Sequence, residues 1–382
     1  MFVISGSPIS LLEKHNTLRS SFVILFTFLS TISYGQWNNS FFDQERKDTS
    51  VGSFRIFVEN LNYVRNTEYK TDITEGRTLL GFQLWPELNY QLGAGTQVAL
   101  GWYSQRDFGG ENWRTNHPTF YIQHRKNSHL FRFGTLMGAT QHQMIEPLYD
   151  PENVIDNRLE EGFQYFRNTK RLDTDLWLNW TKAIYRNSPF REEFTAGLRG
   201  ELVLLDQEKH KLTVPGTLLA FHKGGEIDTS KMQAESRYNM SYGLRYCFKP
   251  NDFIDSIDVR GYGLNYEDVS PKPINYVNGL GQYLSVAMYA RGFGVMLNYY
   301  DAHQFYNPSG DPVYRSVSIR NPLYIRDYRK VGMLRASWET QMAENMRFLF
   351  RANIMREFNQ STTDVIAEFY IRWTPEFMIK KG

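Results

Sequence analysis

The sequence lacks most of what would mark a soluble enzyme. It holds a single cysteine, Cys247, in 382 residues, which excludes a disulfide framework and a thiolate metal cluster. The formal net charge is only +2, so no basic excess points to nucleic acid as a partner. One apolar run stands out, Ser21 to Ile32 (SFVILFTFLSTI), and it falls short of the roughly 20 residues of a spanning helix. Any membrane crossing must therefore use strands. No Pro-, Ser- or Gly-rich linker and no shift in composition divides the chain, which favours one repetitive architecture over two domains. The eight histidines, among them His117, His124, His129, His142 and His303, are scattered, and HExxH, GxSxG and P-loop patterns are missing. His142 and Glu146 are four apart, but in a loop that spacing does not place them on one helix face. The expectation is no enzyme, no cofactor and no metal, although a site assembled from several loops leaves no spacing signature.

What is present is unusual in combination. Aromatic residues make up 15% of the chain while mean hydropathy is −0.49, a pairing that suits an aromatic outer belt around a wet interior. Residues 1–35 carry Lys14 and Arg19, then the short apolar run, then small residues Ser33 and Gly35. This reads as a secretory signal peptide cleaved near Gly35/Gln36. Residues 36–51 follow as a short periplasmic segment, and 52–382 as the barrel described next.

Residues 237–249 (RYNMSYGLRYCFK) set the pattern: Tyr238, Met240, Tyr242, Leu244, Tyr246 and Phe248 alternate with Asn239, Ser241, Gly243, Arg245 and Cys247. Period two is a strand with one face in oil and the other tolerant of water. About sixteen such segments recur from Gly52 to Thr374, most with the roughly 9 to 11 residues of a tilted membrane-crossing strand. Pro86 and Pro215 each remove a ladder donor, so a bulge or an edge is expected there, and 257–266 alternates weakly. Short connectors such as Lys126-Asn127-Ser128 and Arg291-Gly292 alternate with long ones such as 138–161 and 302–329. Together these imply an all-β, antiparallel, up-and-down transmembrane barrel of about 16 strands, with turns and both termini in the periplasm.

The register is set by charge. Arg199, Arg245, Arg291, Arg335, Arg347, Arg351 and Arg372 fall on the faces assigned to the bore, and an arginine facing lipid at the midplane costs about 2–4 kcal/mol. Slipping one residue would expose several at once and turn Leu244, Val286, Leu334, Phe350 and Phe369 inward. Tyr90, Trp102, Trp180, Phe248, Tyr299, Trp338 and Trp373 lie near strand ends, as interfacial girdles require.

With leader, strand count and loop rhythm in place, the chain resembles the porin-like outer-membrane β-barrels of Gram-negative bacteria and, more loosely, alginate-export barrels. It departs from them at the end, running past Trp373 and Phe377 to Gly382 without a terminal aromatic. The resemblance implies an integral outer-membrane location, and it makes the connector after the fifth strand an infolded constriction loop. That loop carries Glu146, Asp150, Glu152, Asp156, Glu160 and Glu161 with Arg158 as the opposing charge. Facing the arginine wall, it would create a transverse field that sorts solutes by charge; alternatively the loop lies outside in solvent, or acids and arginines pair and plug the bore. The leading reading is a passive channel for small hydrophilic or charged solutes in contact with outer-membrane lipid. The rival is an occluded barrel serving as a subunit of a larger complex. Its partners would be met through the Tyr-, Arg- and Pro-rich 302–329 loop, a composition favoured at interfaces, with Tyr283, Tyr289, Tyr300 and Tyr370 filling the bore.

Overall fold

The computed structural model of the chain describes residues 39–43, 49–273, 275–318, 320–321 and 323–382; the expected signal peptide lies outside them. Strands β1 (Phe54–Glu68), β2 (Thr78–Gly93), β3 (Thr96–Asp107), β4 (Thr115–Lys126), β5 (His129–Thr135), β6 (Glu161–Asn168), β7 (Leu172–Lys182) and β8 (Glu192–Asp206) form the first half of the wall. The second half is β9 (His210–Gly224), β10 (Glu235–Phe248), β11 (Ser256–Asp268), β12 (Asn278–Ala290), β13 (Phe293–His303), β14 (Tyr328–Ala343), β15 (Met346–Glu357), β16 (Thr362–Trp373) and β17 (Glu376–Lys380). Every neighbouring pair is antiparallel, and β1 closes the circle by pairing with β2 on one side and with β16 and β17 on the other. Because β17 continues the line of β16 beyond Pro375, the wall has sixteen staves. The chain thus passes the expected last strand and finishes its closure against Phe54–Phe57.

Alternation is carried around the wall. In β10 Leu244 is 57% exposed and its neighbour Arg245 7%, the difference between a lipid face and a bore face. Trp102, Trp180, Trp338 and Trp373 all point outward, as do Leu334 and Phe369. The weakly alternating segment is a full strand, β11, paired on both edges.

The prolines behave differently from expectation. At Pro86 the β2–β3 ladder runs from Leu84–Ser104 to Glu87–Gly101 with the rungs between them missing, and at Pro215 the β9–β10 ladder skips from Gly216–Tyr242 to Thr213–Arg245. Register is the same on both sides of each gap. Each proline keeps its partner on the other edge, Val58 and Glu201, so the missing N–H costs rungs and produces neither bulge nor edge.

Short turns cluster at the end of the barrel where β1 begins and β17 ends. Four of them turn through left-handed residues, Gly95 (φ 76°), Asn127 (φ 54°), Arg291 (φ 50°) with Gly292 (φ 85°), and Asn345 (φ 57°), the backbone that a tight hairpin needs. The longest connectors, 136–160 and 304–327, lie at the opposite end. Strands β5 and β6 are the shortest full staves of the wall, and the first of these long loops departs between them.

Candidate functional site in the barrel bore

Among the described residues, three pieces of chain enter the bore. From the turn end comes the segment 39–43, which contains a single helical turn (Asn39–Phe42). From the other end come the loops 136–160 and 304–327. Phe41, Phe42, Val154 and Ile155 pack with Leu61, Tyr63, Leu79, Leu349 and Tyr370 of the wall. Met144, Ile145, Leu148 and Tyr149 of the first loop and Phe305, Val313 and Tyr314 of the second pack against wall residues from β7 to β16, including Trp177, Tyr283 and Tyr300. Two voids beside this packing hold about 20 Å³ each, enough for about one water apiece. Segment 39–43, expected to lie in the periplasm, is therefore part of a plug.

The acids of the first loop are the joints of that plug. Glu146 accepts from Arg335 of β14 and, through its other oxygen, from the Tyr314 hydroxyl at 2.9 Å. Its own backbone carbonyl accepts from Asp311 N at 3.0 Å, and the Asn307 amide donates to Pro147 O at 3.1 Å. One carboxylate thus binds wall, first loop and second loop together. Glu152 is held by Arg77 Nε at 2.8 Å, and Asp156 by Arg77 and by Arg114 at 2.7 Å. Arg158 donates to Gln83 at 2.6 Å and pairs with Glu59. Asp150 takes a bond from Glu152 N at 2.9 Å and donates its own N–H to Ser309 O at 3.0 Å. Burial, reinforced by the Glu152 carboxylate, raises the Asp150 carboxyl to about 6.

Glu160 and Asp175 of β7 grip His142 between them. The imidazole is fully buried, with Nδ1 2.6 Å from Asp175 Oδ2, Nε2 2.9 Å from Glu160 Oε2, and its ring stacked on Trp177 at 3.7 Å. With an acceptor at each nitrogen the ring donates twice and is a cation. Burial opposes the charge, but the two carboxylates outweigh it and raise the pKa to about 9. The spacing of His142 to Glu146 turns out to be irrelevant, since each binds a different part of the wall.

Six of the seven arginines assigned to the bore lie on its face of the strands. Arg199, Arg245, Arg335, Arg351 and Arg372 are buried on the bore side, and Arg347 is half-buried near the turn end. Arg291 is not on the wall: it is the first residue of the β12–β13 turn, exposed, with its guanidinium 4.7 Å over the Phe253 ring. Alternation stops at the last rung, so counting by twos through a turn carries a residue off the strand. Arg372 donates to Phe41 O at 2.6 Å and Asp43 O at 2.7 Å, Arg351 to Asn39 at 3.1 Å, and Arg347 to Ser40 O at 3.4 Å. Arg199 meets Asp173 at 2.5 Å and Gln143 at 2.8 Å, and Arg245 meets Asp258 at 2.9 Å. These arginines hold the plug or their neighbours in the wall. Facing rows of unlike charge across open water, one expectation for this site, are replaced by contact, because a charge in a closed bore needs a partner.

Two further assignments shift. Glu161 opens β6 instead of closing the loop, and it pairs with His117 at 3.0 Å near the rim. Most aromatics of the 302–329 stretch turn inward, leaving Leu323 (90% exposed), Ile325 and Tyr328 on its outside. Sequence reasoning missed Glu59, Asp175 and Tyr314 as partners; their even or odd place in a strand marked only the strand residues among them as bore-facing.

Closed staves, a lipid-facing apolar belt with aromatic ends and a polar interior define an integral outer-membrane β-barrel of porin-type architecture. The chain belongs to the lipid A 3′-O-deacylase-type family, whose model matches residues 45–382. No curated protein matches it. Among solved structures it is similar to the outer-membrane protein OprD of Pseudomonas aeruginosa, at 10% identity over 88% of this chain and 97% of that one (TM-score 0.53). It is similar also to a loop L8 deletion mutant of OmpT of Vibrio cholerae, at 12% identity over 85% and 100% (TM-score 0.52). At such identities the likeness concerns the fold.

Proposed function

We propose that the protein is a gated outer-membrane conduit, closed at rest, which passes small polar solutes when loops 136–160 and 304–327 are displaced. The observation that carries this reading is the Glu146 joint, where one carboxylate ties both loops to Arg335 of the wall. A channel that stood open would not need such a joint, and a permanently solid barrel would more cheaply fill its interior with apolar side chains. Single-channel recording in planar bilayers tests it: the intact protein gives rare, brief openings, and Glu146→Gln raises the open fraction at least about tenfold. Steady ohmic steps from the intact protein contradict closure at rest; silence from a variant lacking residues 144–158 contradicts a conduit.

A second reading is favoured by the family and by one pair of side chains. His222 and Ser236 face each other across β9 and β10 on the lipid side at the long-loop end, with Nδ1 2.9 Å from Oγ. Phe194 lies 5.1 Å from the imidazole and Trp180 stacks on Phe194. A serine beside a base at headgroup depth is suited to attack an acyl ester: the imidazole takes the hydroxyl proton and passes it to the alcohol oxygen that leaves, and water then cleaves the acyl-serine to free the chain as a carboxylate. Mass spectrometry of lipid A from cells producing the intact protein or His222→Ala decides this: loss of one acyl chain only with the intact protein supports it, and identical spectra reject it.

A further inference from the structure

The turns at the end of the barrel where β1 begins differ in charge. Residues 205–210 and 249–255 carry Asp206, Glu208, Asp252 and Asp255 beside Lys209 and Lys249, whereas 93–97, 123–129 and 166–172 hold Arg125, Lys126, Arg167, Lys170 and Arg171 and no acid. Arg125 takes the inward parity of β4, and the next acid along, Asp173, also faces the bore, bonded to Arg199. What remains outside and at the turn tip is uncompensated: among the described residues none of Lys126, Arg167, Lys170 and Arg171 meets a carboxylate within ion-pair distance.

Register arranges the outward faces of β4, β5 and β6 in three rows. Lys126, His129 and Arg167 stand abreast at the rim, on the outward parity of their strands. Two residues deeper, about 7 Å along the strands, come His124, Phe131 and Tyr165, and two deeper again Ile122, Phe133 and Phe163. Cation, amphipathic ring and hydrocarbon thus follow one another in the order in which a bilayer presents phosphate, glycerol ester and acyl chain. Adjacent strands are about 4.8 Å apart, so Lys126 and Arg167 stand about 10 Å from each other and both long side chains reach one anion between them. His129 fills that gap: its Nδ1 lies 2.7 Å from the Tyr165 hydroxyl, its ring stacks on Tyr165, and Phe131 packs on the same ring at 4.7 Å. The floor of the sector is therefore fixed before any ligand arrives.

We propose that this sector binds an anionic phospholipid of the leaflet at the turn end, its phosphate between Lys126 and Arg167 and its acyl chains over Phe131, Phe133 and Phe163. Arg167 offers a planar fork matched to phosphate oxygens and Lys126 a point charge. Lys170 and Arg171, in the turn that follows β6, add positive potential at headgroup depth. A zwitterionic lipid brings an ammonium that the same cluster repels. No plug residue takes part, so the site stands apart from the gating and the acyl-ester readings.

Native mass spectrometry of the full protein in detergent, with dioleoylphosphatidylglycerol, dioleoylphosphatidylcholine and glycerol 3-phosphate as probes, tests the site. Phosphatidylglycerol is retained at least about tenfold more tightly than either of the others. Lys126→Gln with Arg167→Gln removes that preference, whereas Lys209→Gln with Lys249→Gln, which takes the same charge from the next turns of the rim, keeps it. Equal retention of the two lipids, glycerol 3-phosphate bound as tightly as the lipid, undiminished preference in the Lys126/Arg167 variant, or equal loss in the Lys209/Lys249 variant overturns the assignment. If the Lys126/Arg167 pair unfolds the barrel, the single Arg167→Gln variant and the three-probe comparison on the intact protein still decide it.

Discussion

The outside and the inside of this barrel are made by the same strands, yet they are built on opposite principles. Outward positions repeat one chemistry: Leu244, Val286, Leu334 and Phe369 are all apolar and exposed on the lipid face, so one apolar residue exchanges for another there at small cost. Inward positions are individual. Arg335 answers Glu146, Arg65 answers Glu368, Arg329 answers Glu357 at 3.0 Å, and Arg260 answers Asp258 at 2.5 Å. A repeated surface is tolerant because its contributions are additive and alike. A network of buried pairs is intolerant because removing one member strands the other.

The sharpest way to break that contrast is Arg335→Met, which leaves the Glu146 carboxylate with Tyr314 as its side-chain partner; unfolding in denaturant should show a loss of about 3–5 kcal/mol. Adding Glu146→Gln should recover much of it, as a double-mutant cycle would reveal. On the outer face the comparable insult is a charge: Leu244→Arg should cost about 2–4 kcal/mol if Leu244 sits near the midplane, whereas Leu244→Val should cost little.

The next effect depends on pH. The folded pKa of His142, about 9, is raised, so its contribution is complete below about 6.5, the ordinary imidazole value, and is lost as pH rises through about 9. It amounts to about 3 kcal/mol by linkage, and His142→Gln should flatten the stability profile between pH 7 and 10. Asp150 is raised in the same direction, so its contribution too is lost with rising pH, between about 4 and 6. A smaller change than these is expected at the girdle: Trp338→Ala, which removes the stack on Phe293 (5.9 Å, 14°), should cost about 1 kcal/mol beyond lost area.

The same contrast explains how much could be read beforehand. All sixteen staves were legible, including the weak β11, because period two is a local signal that lipid and water enforce residue by residue. Which arginines faced inward followed from the same parity, failing only at Arg291, where a turn interrupts the count. The plug was not legible as a geometry. Glu146 and Arg335 stand 189 residues apart, and His142 finds Glu160 and Asp175 at separations of 18 and 33. Loops have no period to fix where a carboxylate will point, so the charges were visible and their pairing was not. The left-out rungs at Pro86 and Pro215 make the converse point: a locally unfavourable residue was absorbed because the neighbouring edge held the register.

Closure of the bore at rest is best tested by a density map of the processed protein in a lipid disc. The account predicts continuous density across the bore, joining Glu146 to Arg335 and Tyr314 on one side and Phe42 to Tyr370 on the other. A water-filled passage along the axis, with loop 136–160 lying outside the barrel, would contradict it.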